Sequence, residues 1–254
     1  MFKNVLIFCA VPLMLVGCGT SYNGNGSGGG GGGNYAGQAQ GVYSGTTSSG
    51  YSFSTIVLPT DKFYAIYGTV SGNTLLLTGL VTGQGTSGNG TYTASVTDYV
   101  HTGAISSGNV SANYVAATSL NGTLTESGNA ITFTGTAEPA SSFTYNTSAS
   151  LSAITGTWTG TLLDGMTTTG TINSNGSVSG SSSGCSFSGT VAPNSSNKNF
   201  FDVSLTFGPS PCSLPNQTAS GIAVEYLLSD GVTHQLLVAV TVGTTFGTVF
   251  AAVR

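Results

Sequence analysis

Apolar residues recur at every second position along much of this chain. In "TYTASVT" (91–97), Tyr92, Ala94 and Val96 share one face while Thr and Ser occupy the other. "ITFTGTA" (131–137) repeats the pattern with Ile131, Phe133, Gly135 and Ala137, and "TWTGTL" (157–162), "CSFSGTV" (185–191) and "FDVSLTF" (201–207) follow it. A period of two predicts antiparallel strands with one buried and one solvated face. "HQLLVAVTV" (234–242) is more continuously apolar, which predicts a strand covered on both sides. No convincing amphipathic helix interrupts the series. Favoured hairpin dipeptides separate the runs: Asn89-Gly90, Asn121-Gly122, Asp164-Gly165, Asn175-Gly176 and Asp230-Gly231. Short strands joined by tight turns predict an all-β antiparallel meander, closed as a barrel or stacked as a sandwich.

The pattern has an internal echo. "GVYSG" (41–45) opens the folded part and "GTWTG" (156–160) recurs further on, while "GTVSG" (68–72) and "GSVSG" (176–180) fall at roughly matching places. One or two barrel-like modules are therefore expected. Their bounds are 41–152 and 153–254, with "EPASSFTYNTSASLSAI" (138–154) as the junction.

Composition narrows the function. Charged residues make up only 5% of the chain, but 39% is hydrophobic, so this is not a charged disordered chain. Polarity comes from Ser, Thr, Asn and Gly, as in secreted β proteins. The net charge is −4. Beyond residue 18 the only cations are Lys62, Lys198 and Arg254. Phosphate neutralisation needs clustered basic residues, so nucleic-acid binding is excluded.

Residues 1–17 have the layout of an export signal: a short n-region with Lys3, an apolar stretch from Val5 to Val16, and small residues at its end. That stretch makes roughly 18 Å of helix, too short for a hydrocarbon core of roughly 30 Å. Leu15-Val16-Gly17-Cys18 resembles the lipobox of bacterial lipoproteins. The resemblance implies cleavage after Gly17, a diacylglycerol thioether on Cys18 and acylation of its new amino group. Gly rather than Asp at position 19 leans toward the outer membrane by the same resemblance. Several acyl chains give stable anchoring where one does not. Residues 18–40, with the run Gly28–Gly33, are then expected to form a disordered, flexible tether about 25 Å in typical reach.

A G-x-W near the start of a β meander resembles the opening of the lipocalin and avidin group of barrels. The residues that carry it are Gly156-Thr157-Trp158. The resemblance implies that Trp158 lies on a first strand and helps close a barrel floor, with Tyr43 as its counterpart in the first module. The stretch from "GTWTG" through "GCSFSGTV" to the end also resembles uncharacterised proteobacterial lipoproteins, a likeness that carries no activity with it.

Candidate chemistry is sparse. With Cys9 in the signal and Cys18 carrying lipid, Cys185 and Cys212 are expected to form a disulfide, a metal site being the rival. The two histidines each follow an acid, in "DYVH" (98–101) and "DGVTH" (230–234), and either pair could bond locally. No G-x-S-x-G elbow is present. Asp202 and Glu225 are the best candidates for two carboxylates on a shared strand face. Tyr51, Phe53, Phe63, Tyr64 and Tyr67 cluster around Asp61-Lys62, and Tyr51, Tyr64, Tyr67 and Trp158 are the candidate binding residues. The expectation is a lipid-anchored outer-membrane protein, not an enzyme, without cofactor or metal. It binds an unknown protein, in the manner of an adhesin, or carries a small apolar ligand like a lipocalin.

Overall fold

The computed structural model describes residues 37–71, 74–228 and 230–254. Its first half is β1 (Gly41–Thr47), β2 (Ser52–Val57), β3 (Lys62–Ser71), β4 (Thr74–Gly88), β5 (Thr91–Val100), β6 (Ile105–Val115), β7 (Ser119–Glu126) and β8 (Asn129–Ala137). Each strand pairs antiparallel with the next, and β8 returns to β1 through Tyr43 opposite Ala137, closing a barrel of eight. After a linker and one helical turn, α1 (Leu151–Ile154), the pattern repeats. The second set is β9 (Gly156–Leu162), β10 (Thr167–Ile172), β11 (Ser177–Ser182), β12 (Cys185–Pro193), β13 (Phe201–Phe207), β14 (Thr218–Leu227), β15 (His234–Val242) and β16 (Phe246–Val253). Here β16 returns to β9, with Ala251 opposite Thr161. The chain is all-β, as its period of two requires, and closure settles the choice between barrel and sandwich.

Alternation decides what each barrel holds. On β5, Tyr92, Ala94 and Val96 are buried in the first lumen and the intervening Thr91, Thr93 and Ser95 are exposed. On β15, Leu236 and Val240 point into the second lumen. Leu237 and Ala239 point outward, yet they too are buried, in a cluster with Val42, Ile56, Tyr64 and Leu80 of the first barrel. The continuous hydrophobicity of "HQLLVAVTV" therefore has a cause: one face fills a lumen and the other meets a second barrel.

The seam between barrels has specific fastenings. Tyr99, at the end of β5, donates its hydroxyl to the Gly243 carbonyl at 2.9 Å. Its ring lies where a Cβ on Gly247 would sit, 2.5 Å from the nearest ring atoms, so any side chain at 247 collides with it. The linker is wedged rather than loose. Phe143 packs on Tyr226 with ring centroids 4.8 Å apart, and the Tyr145 hydroxyl donates to the Val57 carbonyl at 3.0 Å. The Asn199 amide donates to the Tyr145 carbonyl, joining the linker to the second barrel. Tyr99 and Gly243 both lie at the ends where β5 and β15 finish, and Val57 and Asn199 lie at the opposite ends. The barrels thus stand side by side with both mouths at one end.

The floors are closed by related devices. In the first barrel the Tyr43 hydroxyl donates to the Ala39 carbonyl, and in the second the Trp158 indole N–H donates to the Ile154 carbonyl. Both reach back four residues from a first strand. The echo "GVYSG"/"GTWTG" therefore marks equivalent positions. Gly68–Ser71 of "GTVSG" and Ser177–Gly180 of "GSVSG" fall on the third strand of each barrel, but the first stretch runs toward the mouth and the second follows a floor turn at Gly176. Residues 37–40, expected at the end of the tether, belong to the body. Ala39 is fully buried, the Gly37 amide bonds the Pro59 carbonyl, and the Tyr114 hydroxyl donates to Gln38 Oε1. Residues 1–36, including the export signal, Cys18 and the glycine run, lie outside the described residues.

Cys185, at the mouth end of β12, is bonded to Cys212 in the long β13–β14 connection, with a sequence separation of 27. A loop of that length is worth about 3–4 kcal/mol in the chain-entropy account. Replacing both cysteines with serine is expected to lower the unfolding free energy by that amount, read by urea titration of the oxidised wild type against the variant.

Candidate functional site

An eight-stranded barrel is just wide enough to be filled by its own side chains or to hold one small ligand. Both lumens here leave space. The second contains a cavity of about 250 Å³. Trp158 forms its floor, fixed by the bond from its indole N–H to the Ile154 carbonyl beneath it and by Arg254, whose guanidinium stacks 4.0 Å from the ring centroid. Arg254 also donates to the Ala153 and Thr155 carbonyls at 2.9 and 2.8 Å, tying the last residue to the turn that precedes β9. Gly156 permits this: its φ of +122° is strained for other residues, and a Cβ there would stand 2.7 Å from the guanidinium.

The walls of this cavity are almost entirely apolar, with Val178, Phe187, Leu205, Val238 and Phe250 among them. Space is left by small residues on the lumen side. A Cβ on Gly170 would stand 3.7 Å from Phe187, an ordinary contact, so a larger side chain there would extend into the cavity. Among the polar residues of the lining, Thr168 is the one with a buried hydroxyl left unpartnered. Thr168 is 4% exposed, and its Oγ1 has no hydrogen-bond partner. Such an orphaned hydroxyl costs stability unless something else satisfies it. The mouth is bordered by Met166, Cys185 and the connection carrying Pro211, Ser213 and Leu214, which the disulfide holds in place.

The first lumen holds a cavity of about 230 Å³ with different chemistry. Its lower wall is apolar, with Phe63, Val81 and Leu120, but two carboxyls, Asp98 and Glu126, line its upper part. The Tyr67 hydroxyl donates to Asp98 Oδ2 at 2.8 Å, and Tyr51 packs on Tyr67 with ring centroids 5.4 Å apart. Two glycines make this possible by close approach. A Cβ on Gly79 would overlap the Tyr67 ring, and one on Gly108 would overlap Glu126. Burial pushes the Asp98 carboxyl above its ordinary value, partly offset by the Tyr67 hydrogen bond. Glu126 is raised by burial first and then by the Asp98 charge.

The candidates from sequence are thus distributed. Tyr51 and Tyr67 line the first lumen, and Trp158 floors the second. Tyr64 points outward into the seam, with Lys62 over its ring at 5.0 Å. The acid–histidine neighbours do not pair locally. Asp98 bonds Tyr67, while His101 Nδ1 lies 3.2 Å from the Thr78 carbonyl. Asp230 accepts from the Val232 and Thr233 amides, and His234 contacts Glu225. Asp202 and Glu225 lie on opposite faces. Asp202 stands opposite Ile222 on the outward face, and Glu225, three residues further on, points the other way. Among the described residues no group of three or more His, Cys, Asp or Glu side chains could hold a metal. Asp98, Glu126 and Thr168 were not singled out as ligand-facing from sequence. For Asp98 the signal existed, since it continues the inward series Tyr92, Ala94, Val96.

Comparison with known proteins finds no family model, no curated protein and no solved structure that matches this chain.

The carboxyls have a measurable consequence. A folded-state value above the unfolded one means that the native chain retains protons the unfolded chain releases. Their contribution to stability is full below the unfolded values of 3.8 and 4.5 and is lost as pH rises through the raised folded values. Asp98→Asn removes one buried charge and keeps an acceptor for Tyr67. At neutral pH it is expected to raise Tm by on the order of 2–5 °C and to shrink the loss of Tm on going from acid to neutral pH. Thermal unfolding across a pH series checks both.

Proposed function

We propose that this protein is a non-catalytic binder of small apolar molecules, which it takes into the lumen of its second barrel while held at the cell envelope by lipid on Cys18. The observation that carries the reading is the cavity of about 250 Å³ with an apolar lining and a single orphaned hydroxyl. Ligand pockets are typically apolar with a few placed polar groups that fix orientation. Thr168 Oγ1 is such a group, suited to an alcohol, aldehyde or acid head on an apolar body. The size is below the 300–1,000 Å³ common for drug-sized ligands, so the cargo is compact.

Trp158 on a first strand above a one-turn helix supports the likeness to the lipocalin and avidin group. The lipobox resemblance at Leu15–Cys18 supports the anchor. The chain enters the first barrel at its floor, through Gly37 and Ala39, and both mouths lie at the other end. An anchor upstream of residue 37 therefore leaves both mouths facing away from the attachment point, accessible to ligand.

Binding is tested with 1-octanol by isothermal titration calorimetry on the purified chain, together with mass spectrometry of its organic extract. Gly170→Leu fills the cavity and is expected to abolish octanol binding without lowering Tm. Thr168→Val is expected to keep the fold and weaken octanol binding about two- to tenfold. A filled variant that binds octanol as well as wild type contradicts the reading. For the anchor, Cys18→Ala is expected to release the protein from the membrane fraction and to end incorporation of radiolabelled palmitate.

A further inference from the structure

We propose that the first barrel is a second, chemically distinct binding site, for a small organic cation: an aliphatic or aromatic amine whose ammonium is held by Asp98 and Glu126. Among the described residues, the side chains lining this lumen include two carboxyls and no lysine, arginine or histidine. The lysines and arginine of the described residues are elsewhere. Lys62 points outward over Tyr64, Lys198 lies over Tyr145 of the linker, and Arg254 is committed to Trp158. Asp98 is 5% exposed, and although its Oδ2 accepts from Tyr67, its Oδ1 has no partner. The Oε1 of Glu126 is likewise buried and unpartnered. Two carboxyls on one cavity wall thus each keep a buried oxygen without a donor, and buried charge persists only when paired. An ammonium supplies three donors and the missing charge at once.

The surrounding groups fit the rest of such a ligand. Tyr51 and Tyr67 present tilted rings beside the carboxyls, as suits cation–π attraction. Below them, Phe53, Phe133 and Leu124 supply an apolar well for the body of the amine. A purely apolar cargo has no use for two carboxyls here, and an anion would be repelled by them. The site does not depend on the second barrel: its lining residues all come from residues 47–133.

The test titrates the purified chain at pH 8 with 2-phenylethylamine and with its neutral analogue 2-phenylethanol. n-Hexylamine and tryptamine extend the amine set. Wild type is expected to bind at least one amine ten or more times more tightly than the alcohol. Asp98→Asn is expected to weaken amine binding at least tenfold while leaving alcohol binding unchanged and Tm no lower than wild type. Glu126→Gln is expected to weaken it in the same direction. Gly170→Leu, which fills the other barrel, is expected to leave amine binding intact, so failure of the octanol site and failure of this one are separable. Equal affinity for amine and alcohol overturns the proposal, as does no amine binding by wild type at millimolar concentration. Unchanged amine binding in Asp98→Asn, or loss of amine and alcohol together in that variant, overturns it too.

Discussion

The seam where the two barrels touch governs the rest of the structure. A closed barrel turns every second residue outward, and outward residues on a solvated barrel are polar. Here one flank of each barrel breaks that rule. Ile56, Tyr64 and Leu80 on one side and Ile222, Leu237 and Val249 on the other are outward-facing, apolar and buried against each other. Burying apolar area of this kind is worth roughly 25 cal/mol per Å², and among the described residues no charged network substitutes for it. Tyr99 and the Phe143–Tyr145 linker fix the angle of contact, which brings both mouths to the same end. Two barrels with few charges gain from this packing what a lone barrel would lack.

Within each barrel, side chains fill the floor and leave the mouth open. Tyr43, Tyr92 and Phe63 pack the base of the first, and Trp158, Phe201 and Leu236 that of the second. Above them the two lumens diverge. The second retains only Thr168 Oγ1 as an unmet polar atom, whereas the first keeps a carboxyl pair held against its own desolvation cost. Orphaned polar groups are rare in native interiors, because each costs stability. Three such atoms, on Asp98, Glu126 and Thr168, belong to residues lining the two cavities, and others, on Gln40, Ser196 and Gln235, lie away from them. The duplicated floor geometry of Tyr43–Ala39 and Trp158–Ile154 supplies one scaffold for two different linings.

Much of this was legible from the chain itself. The period of two in "TYTASVT" and "FDVSLTF" specifies half-buried strands, and the matched "GVYSG" and "GTWTG" mark the two floors. The near-continuous "HQLLVAVTV" signals double coverage, though not what does the covering. The seam was not legible, because Phe143, Tyr145 and Tyr99 act through partners 83 to 144 residues away. Local spacing also misdirects: Asp98 and His101 are close in sequence, but Asp98 points into the lumen from β5 while His101 lies in the turn after the strand ends at Val100, against the Thr78 carbonyl. The same period carries Asp98 inward after Val96, and Glu126 inward after Leu120 and Leu124. The apolar series thus points to both carboxyls once the lumen is known to be partly empty. Thr168 has no such signal, since threonine is common on both faces of these strands.

The central claim is that one body carries two independent lumens with different ligand chemistry. Native mass spectrometry of the full chain, titrated with 1-octanol and 2-phenylethylamine together, tests it most directly. The account predicts a doubly loaded species carrying one of each, from which Gly170→Leu deletes only the alcohol and Asp98→Asn only the amine. Mutual displacement of the two probes, or loss of both adducts from either single variant, would contradict it.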